Sequence, residues 1–241
     1  DQWTKRGQAP RALVVFVDAW TKWGGSQFVN SHGMGRFEDY LMGELLPAVH
    51  AAFPVQTDHT QWCVAGASSG GYGALHLASR YPKTFPFLAA LAPDSFFEMS
   101  LLPEILLALP VVDELMGVGG VFKELKQGKL FKRRQAHSVL NAVAMGLCYS
   151  SKNKGKDVDW PVDKYGKVRP AVWKKWKSHD PLEFLKSRKA AAQKMQRVYL
   201  DVGSYDQFQL QYGTRQLAEM FKGWGLPLDS SEFNGNHFDL G

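Results

Sequence analysis

Only two cysteines, Cys63 and Cys148, occur in the 241 residues, which excludes a disulfide framework and a cysteine-built metal site. Cys63 stands in an apolar run and reads as a buried thiol; neither cysteine sets the compartment. No run is long and apolar enough to cross a bilayer, so no membrane span is expected. The histidines lack ligand spacing such as H-E-x-x-H, and no metal or other cofactor is expected. Nothing resembles a zinc finger, a recognition helix or an RNP sequence. The net charge of +6 and pI near 9.2 therefore read as a solvated face: part of the excess falls in residues 150–179, and nucleic acid is not an expected partner. Repeats and low-complexity tracts are missing too. Residue 1 is Asp, with no charged leader and short apolar stretch behind it, so the expectation is a trimmed or processed start; a cytoplasmic setting is slightly favoured, with N-terminal processing left open.

What is present is a hydrophobic fraction of 45%, enough for one sizeable core and little more. "RALVVFVDAW" (11–20), "QWCVAG" (61–66), "FPFLAALAP" (85–93) and "QRVYLDVG" (196–203) read as apolar strands. Between them, "RFEDYLMGELLPAVHAAF" (36–53) carries helical spacing with a kink or break at Pro47, and "SSGGYGALHLASRYP" (68–82) turns into a helix that Pro82 stops. Strand and helix in alternation predict an α/β fold with a mostly parallel sheet and helices on both faces. From about 94 to 178 the alternation lapses into what reads as short helices separated by prolines, then an irregular stretch interrupted by Pro161 and Pro170. The expected organisation is one domain over 1–241 with a lid-like or cap-like excursion at 94–178.

In "GASSG" the glycines at 66 and 70 flank Ser68 at the G-x-S-x-G spacing, after a strand and before a helix. A serine hydroxyl needs exposure, aim and a base to become a nucleophile; an abrupt strand-to-helix turn supplies the first two, and both glycines are expected to avoid collisions there. The bland alternative is a turn serine. Ser69 is expected to offer its backbone N–H to an oxyanion, with the second donor unassigned. A base and an acid should follow downstream. His237, in "FNGNHFDLG", is the candidate base, because His32, His50, His59, His76, His137 and His179 are less suitably placed. Asp206, just past the strand in "YLDVGSYDQF", is the candidate acid; Asp201 is its rival, and Asp239 stays open.

These pieces, with "WGGSQFVNSHGMGRFEDYLMGELLP", "HDPLEFL" and "EFNGNHFD", resemble the putative esterase family of α/β-hydrolases, the group related to antigen 85 acyltransferases, S-formylglutathione hydrolase and enterochelin esterases. The likeness runs from about residue 12 to 240 and is weakest in the middle excursion. It implies an α/β-hydrolase fold with Ser68 as nucleophile, Asp206 as acid and His237 as base. It also implies that the loop before the helix containing Glu38 and Glu44 lines or braces the site entrance, where Asp18 and Gln27 either order the loop or serve as scaffolding. Family members carry strands ahead of "VVFVD", and one of the loops after them donates the first oxyanion N–H; this chain begins too late to contain them, so an incomplete site is expected.

The expected function is hydrolysis of a small-molecule carboxylic ester, with an apolar part, through an acyl-enzyme. Two alternatives remain: transfer of the acyl group to an alcohol, and a non-catalytic binding protein on the same fold. Trp20, Trp23, Phe96, Phe97, Trp160, Trp173 and Trp176 are candidates for pocket walls, though each alone is better accounted for by core or surface packing. The natural ester and the oligomeric state leave no signature in the sequence.

Overall fold

The computed structural model describes residues 5–7, 12–55 and 60–239. Two short hairpins come first, pairing β1 (Trp20–Thr21) with β2 (Gly24–Gly25) and β3 (Asn30–Ser31) with β4 (Gly35–Arg36). The segment 37–52 is helical throughout but not uniform: α1 (Phe37–Tyr40) passes through a π turn (Leu41–Leu45) into α2 (Leu46–Ala52). Pro47 explains the widening, since it brings no N–H to the ladder and its ring crowds the carbonyl one turn back.

The central sheet contains β5 (Cys63–Ala67), β6 (Phe87–Leu91), β9 (Arg197–Gly203) and β10 (Leu228–Phe233) in the order β10-β9-β6-β5, all parallel. Helix α3 (Ser69–Arg80) packs on β5 and β6, and α10 (Leu210–Gly223) packs on β9 and β10. Alternation along the strands turns Leu88, Ala90, Val198 and Leu200 into the core with Tyr72, Leu75, Leu217 and Phe221, each large apolar side chain contributing about 2 kcal/mol by leaving water. This is the mostly parallel sheet with helices around it that the sequence predicts.

Two local expectations fail. Residues 12–19 form no strand, and Val14 and Phe16 are 67% and 93% exposed. Apolar character alone does not make a strand; a ladder partner does, and among the described residues the sheet ends at β5. Cys63 is likewise exposed rather than buried, because it points, with Ala65 and Ala67, to the face of β5 that is left open.

Between β6 and β9 the chain is largely helical: α4 (Phe97–Glu114), α5 (Val118–Lys126), α6 (Ala136–Tyr149), a β7 (Ser151–Lys152) and β8 (Asp157–Val158) hairpin, α7 (Pro170–Lys177), α8 (Pro181–Ser187) and α9 (Lys189–Ala192). The prolines do not divide it as expected. Pro103 and Pro110 lie inside the 18-residue α4, whose Leu101, Ile105, Ala108 and Val112 form one buried stripe that offsets the lost ladder bonds. The break comes at Gly117, φ 94°, where α5 leaves α4 at 84°. Pro170 starts a helix where an irregular stretch was expected. Among the described residues no single helix is long and apolar enough to cross a membrane.

Candidate active site

Ser68 ends β5 and caps α3 in a backbone conformation of φ 56°, ψ −123°, a region costing about 1–3 kcal/mol for a residue other than glycine. Its neighbours hold it there. The Ser68 N–H donates to Leu91 O (2.8 Å), and its carbonyl accepts from Tyr72 N (3.0 Å) and Asp94 N (3.3 Å). A Cβ at Gly66 would run into the Gly70 backbone, and one at Gly71 would lie 3.1 Å from Leu91 O, whereas Gly70 has open space at its own Cβ position. The close approach thus falls on Gly66 and Gly71; the expected collision at Gly70 does not occur. Ser69 is the first residue of α3, so its N–H belongs to the positive end of that helix. A Cβ on Gly25 would lie 3.9 Å from Ser69 Oγ, which puts the β1–β2 hairpin at the border of the turn.

Asp206 follows β9 and His237 follows β10. Their loops are joined where Tyr205 N donates to Gly235 O (2.9 Å) and Ser204 N to Phe233 O (2.8 Å). His237 Nδ1 lies 2.7 Å from Asp206 Oδ2, the aspartate side chain fully buried and the imidazole 9% exposed. Asp206 Oδ1 accepts Phe208 N (2.8 Å). The backbone thus fixes the Asp206 carboxylate, with its Oδ2 turned to His237 Nδ1. The rivals have other partners: Asp201 accepts from Tyr199 and Ser231 hydroxyls within the sheet, and Asp239 accepts Asn236 N. His59 lies outside the described residues.

The structure brings Asp206 to His237 but, among the described residues, gives Ser68 Oγ a different partner. That hydroxyl donates to Asp94 Oδ1 at 3.5 Å. Asp94, buried after β6, was not singled out by sequence reasoning. Burial pushes its carboxyl up to about 6, with Asp206 adding to the rise while His237, the Ser68 hydrogen bond and His137 oppose it. The signal that could have found it is position, since polar residues just past the carboxyl ends of parallel strands face the crevice where ligands bind.

The surrounding walls differ from those expected. Trp23, Phe97 and Trp176 are core residues and Trp20 is exposed; Trp160 and Trp173 pack against the core. Phe96 lines a groove of about 410 Å³ with Lys177, Arg215 and Met220, which contains none of the residues above. The rings beside His237 are Phe208, 4.8 Å away, and Phe238, 5.3 Å away. His137 of α6 reaches Phe208 at 5.1 Å, and its pairing with Glu104 of α4 holds its pKa above the ordinary value despite some burial. In the entrance loop Asp18 accepts Trp20 N, and Gln27 is buried at φ 55°. Glu38 is a buried hub joining His76, Tyr81 and Arg80.

A family model described as Putative esterase matches residues 4–238. Among solved structures the chain is similar to FphF, a fluorophosphonate-binding serine hydrolase of Staphylococcus aureus, at 15% identity and TM-score 0.50 over 88% of this chain and 61% of that one. It is also similar to an S-formylglutathione hydrolase from Agrobacterium tumefaciens, at 15% identity and TM-score 0.48 over 89% and 57%. A ferulic acid esterase matches at 17% identity and TM-score 0.48 over 87% and 57%. At these identities the likeness is one of fold, and the chain spans less than two thirds of the length of each of these structures. No curated protein matches it.

Proposed function

Because the chain belongs to the Putative esterase family, we propose that it hydrolyses a small carboxylic ester through an acyl-enzyme on Ser68, with His237 as base and Asp206 as its orienting acid. The observation that carries this reading is the strained turn at Ser68, φ 56°, on the same rim of the sheet as the buried Asp206–His237 pair. Strain of this kind persists where a side chain must be presented.

In the working site the Ser68 hydroxyl turns from Asp94 to His237 Nε2, a contact that commonly tightens only when substrate is bound. His237 takes the proton as Oγ attacks the ester carbon. The carbonyl electron pair moves onto oxygen, where the Ser69 N–H and the positive end of α3 meet it; one such donor is worth about 3 kcal/mol. His237 then protonates the departing alcohol, and water repeats the sequence to free the acid. Phe208 and Phe238 favour an ester with an apolar part. The segment 94–178 acts as a cap within one domain, as the reach of Glu104 and His137 toward Phe208 supports.

Full-length protein should turn over p-nitrophenyl acetate and react with a fluorophosphonate at one residue, and Ser68→Ala should lose both, by about 10³-fold or more in rate, while keeping its circular dichroism. Equal turnover by the variant would reject the reading.

A further inference from the structure

The strand order β10-β9-β6-β5 sets a spatial order for the residues just past the strand ends. Ser68 follows β5, Asp94 follows β6, Asp206 follows β9 and His237 follows β10, so Asp94 stands between the serine and the Asp206–His237 pair. Resting on the esterase reading above, we propose that Asp94 is a positioning residue of this site: its ionised carboxylate parks the Ser68 hydroxyl in the resting site and, once that hydroxyl has turned to the imidazole, supports the charge that His237 acquires.

Three observations carry this assignment. The loop after β6 grips the turn at several points, through Leu91 O to Ser68 N, Asp94 N to Ser68 O, and the Asp94 carboxylate to the Ser68 hydroxyl. Second, Asp94 is 7% exposed, and among the described residues that hydroxyl is the one hydrogen-bond donor to its carboxylate. A carboxylate buried with so few donors destabilises a fold, and such groups gather where chemistry uses them. Third, the groups that face it are those of the reaction. His237 and Asp206 act on it from the loops after β10 and β9, and His137 acts from α6. Tyr72 of α3 and Tyr149 of α6 also sense it, and burial keeps both phenols neutral.

The proton balance leaves Asp94 unprotonated throughout. The Ser68 proton goes to His237 as the Oγ–C bond forms, and from His237 to the alcohol as the C–O bond breaks. An anion facing the imidazole favours the intermediate in which His237 is positive. Because burial pushes the Asp94 carboxyl up to about 6, acidification through that range neutralises it and removes its support.

The test is kcat/KM for p-nitrophenyl acetate between about pH 4.5 and 9, measured on full-length wild-type, Asp94→Asn and Ser68→Ala protein. Asp94→Asn should be slower at pH 8 by about tenfold or more, chiefly in kcat, and its acid limb should fall with the uptake of one proton where the wild type takes up two. An unchanged rate, or a slower rate with an unchanged acid limb, overturns the assignment. If Asp94→Asn does not fold, the pH dependence of wild-type labelling by a fluorophosphonate decides alone: a two-proton limb supports the assignment and a one-proton limb overturns it. Full activity in Ser68→Ala would instead defeat the esterase reading itself.

Discussion

At the scale of residues, the turn depends on which glycine bears the contact. The spacing G-x-S-x-G makes Gly66 and Gly70 look equivalent, yet only the Gly66 Cβ position is filled, and what fills it is the Gly70 backbone. Gly66→Ala therefore forces strand and helix apart, and should cost about 2 kcal/mol or more in urea unfolding while slowing fluorophosphonate labelling of Ser68. Gly70→Ala adds a methyl in open space on a helix and should change stability by less than about 1 kcal/mol in either direction. Equal losses in the two variants would show that the close approach does not control the turn. Ser68, Asp206 and His237 could be proposed from the sequence because their types and chain order are distinctive, and the structure brings the last two together. Asp94 was not legible, because its position depends on β6 lying between β5 and β9, and strand order is not written in any local pattern.

Among the elements, Asp180 does the most joining. "HDPLEFL" reads locally as a helix start, with aspartate as cap and proline in the first position, and the Asp180 carboxylate does accept Leu182 N at 3.0 Å. It also accepts Phe96 N (3.1 Å) and Phe97 N (2.8 Å) at the start of α4, more than eighty residues away in sequence. Burial pushes its pKa up even against these bonds and the nearby Lys177 ammonium. One fully buried side chain thus satisfies orphan N–H groups of two helices, and links the segment after β6 to the helix that precedes β9. Asp180→Ala leaves three donors unpaired and should cost about 3 kcal/mol or more in urea unfolding; a loss below about 1 kcal/mol would assign the junction to packing. The second partner had no local signature. Nor did the continuity of α4 through two prolines, which follows from a buried stripe whose partners lie elsewhere in the chain.

For the whole molecule, pH separates groups that stabilise the fold from those that oppose it, Asp94 and Asp180. Burial would raise Glu38, but hydrogen bonds from His76 and Tyr81, with the charges of His76 and Arg80, hold it at about 2 against an ordinary 4.5. Burial, with the charges of His76 and Arg188, lowers His179 to about 4 from 6.5, and burial also lowers His76. For all three the unfolded chain binds protons more readily, so stability falls as pH drops, from 6.5 toward 4 through His179, below 6.5 through His76 and from 4.5 toward 2 through Glu38. Asp94 has the opposite sign. Its pKa is about 6 in the fold against an ordinary 3.8, so the folded chain binds the proton more readily and stability falls as pH rises through that interval. Well above pH 6 the wild type carries the full cost of an ionised carboxylate in the interior, on the order of 3 kcal/mol. Asp94→Asn removes that charge with little change of shape. Urea midpoints should therefore place the variant above wild type at pH 8, with the difference shrinking as pH falls and vanishing below about pH 3, where Asp94 is neutral in both states of the chain. Stability gained together with activity lost is the relation expected when a site keeps a group for its chemistry. A variant no more stable than wild type at pH 8 would mean that Asp94 is not held ionised at a cost to the fold.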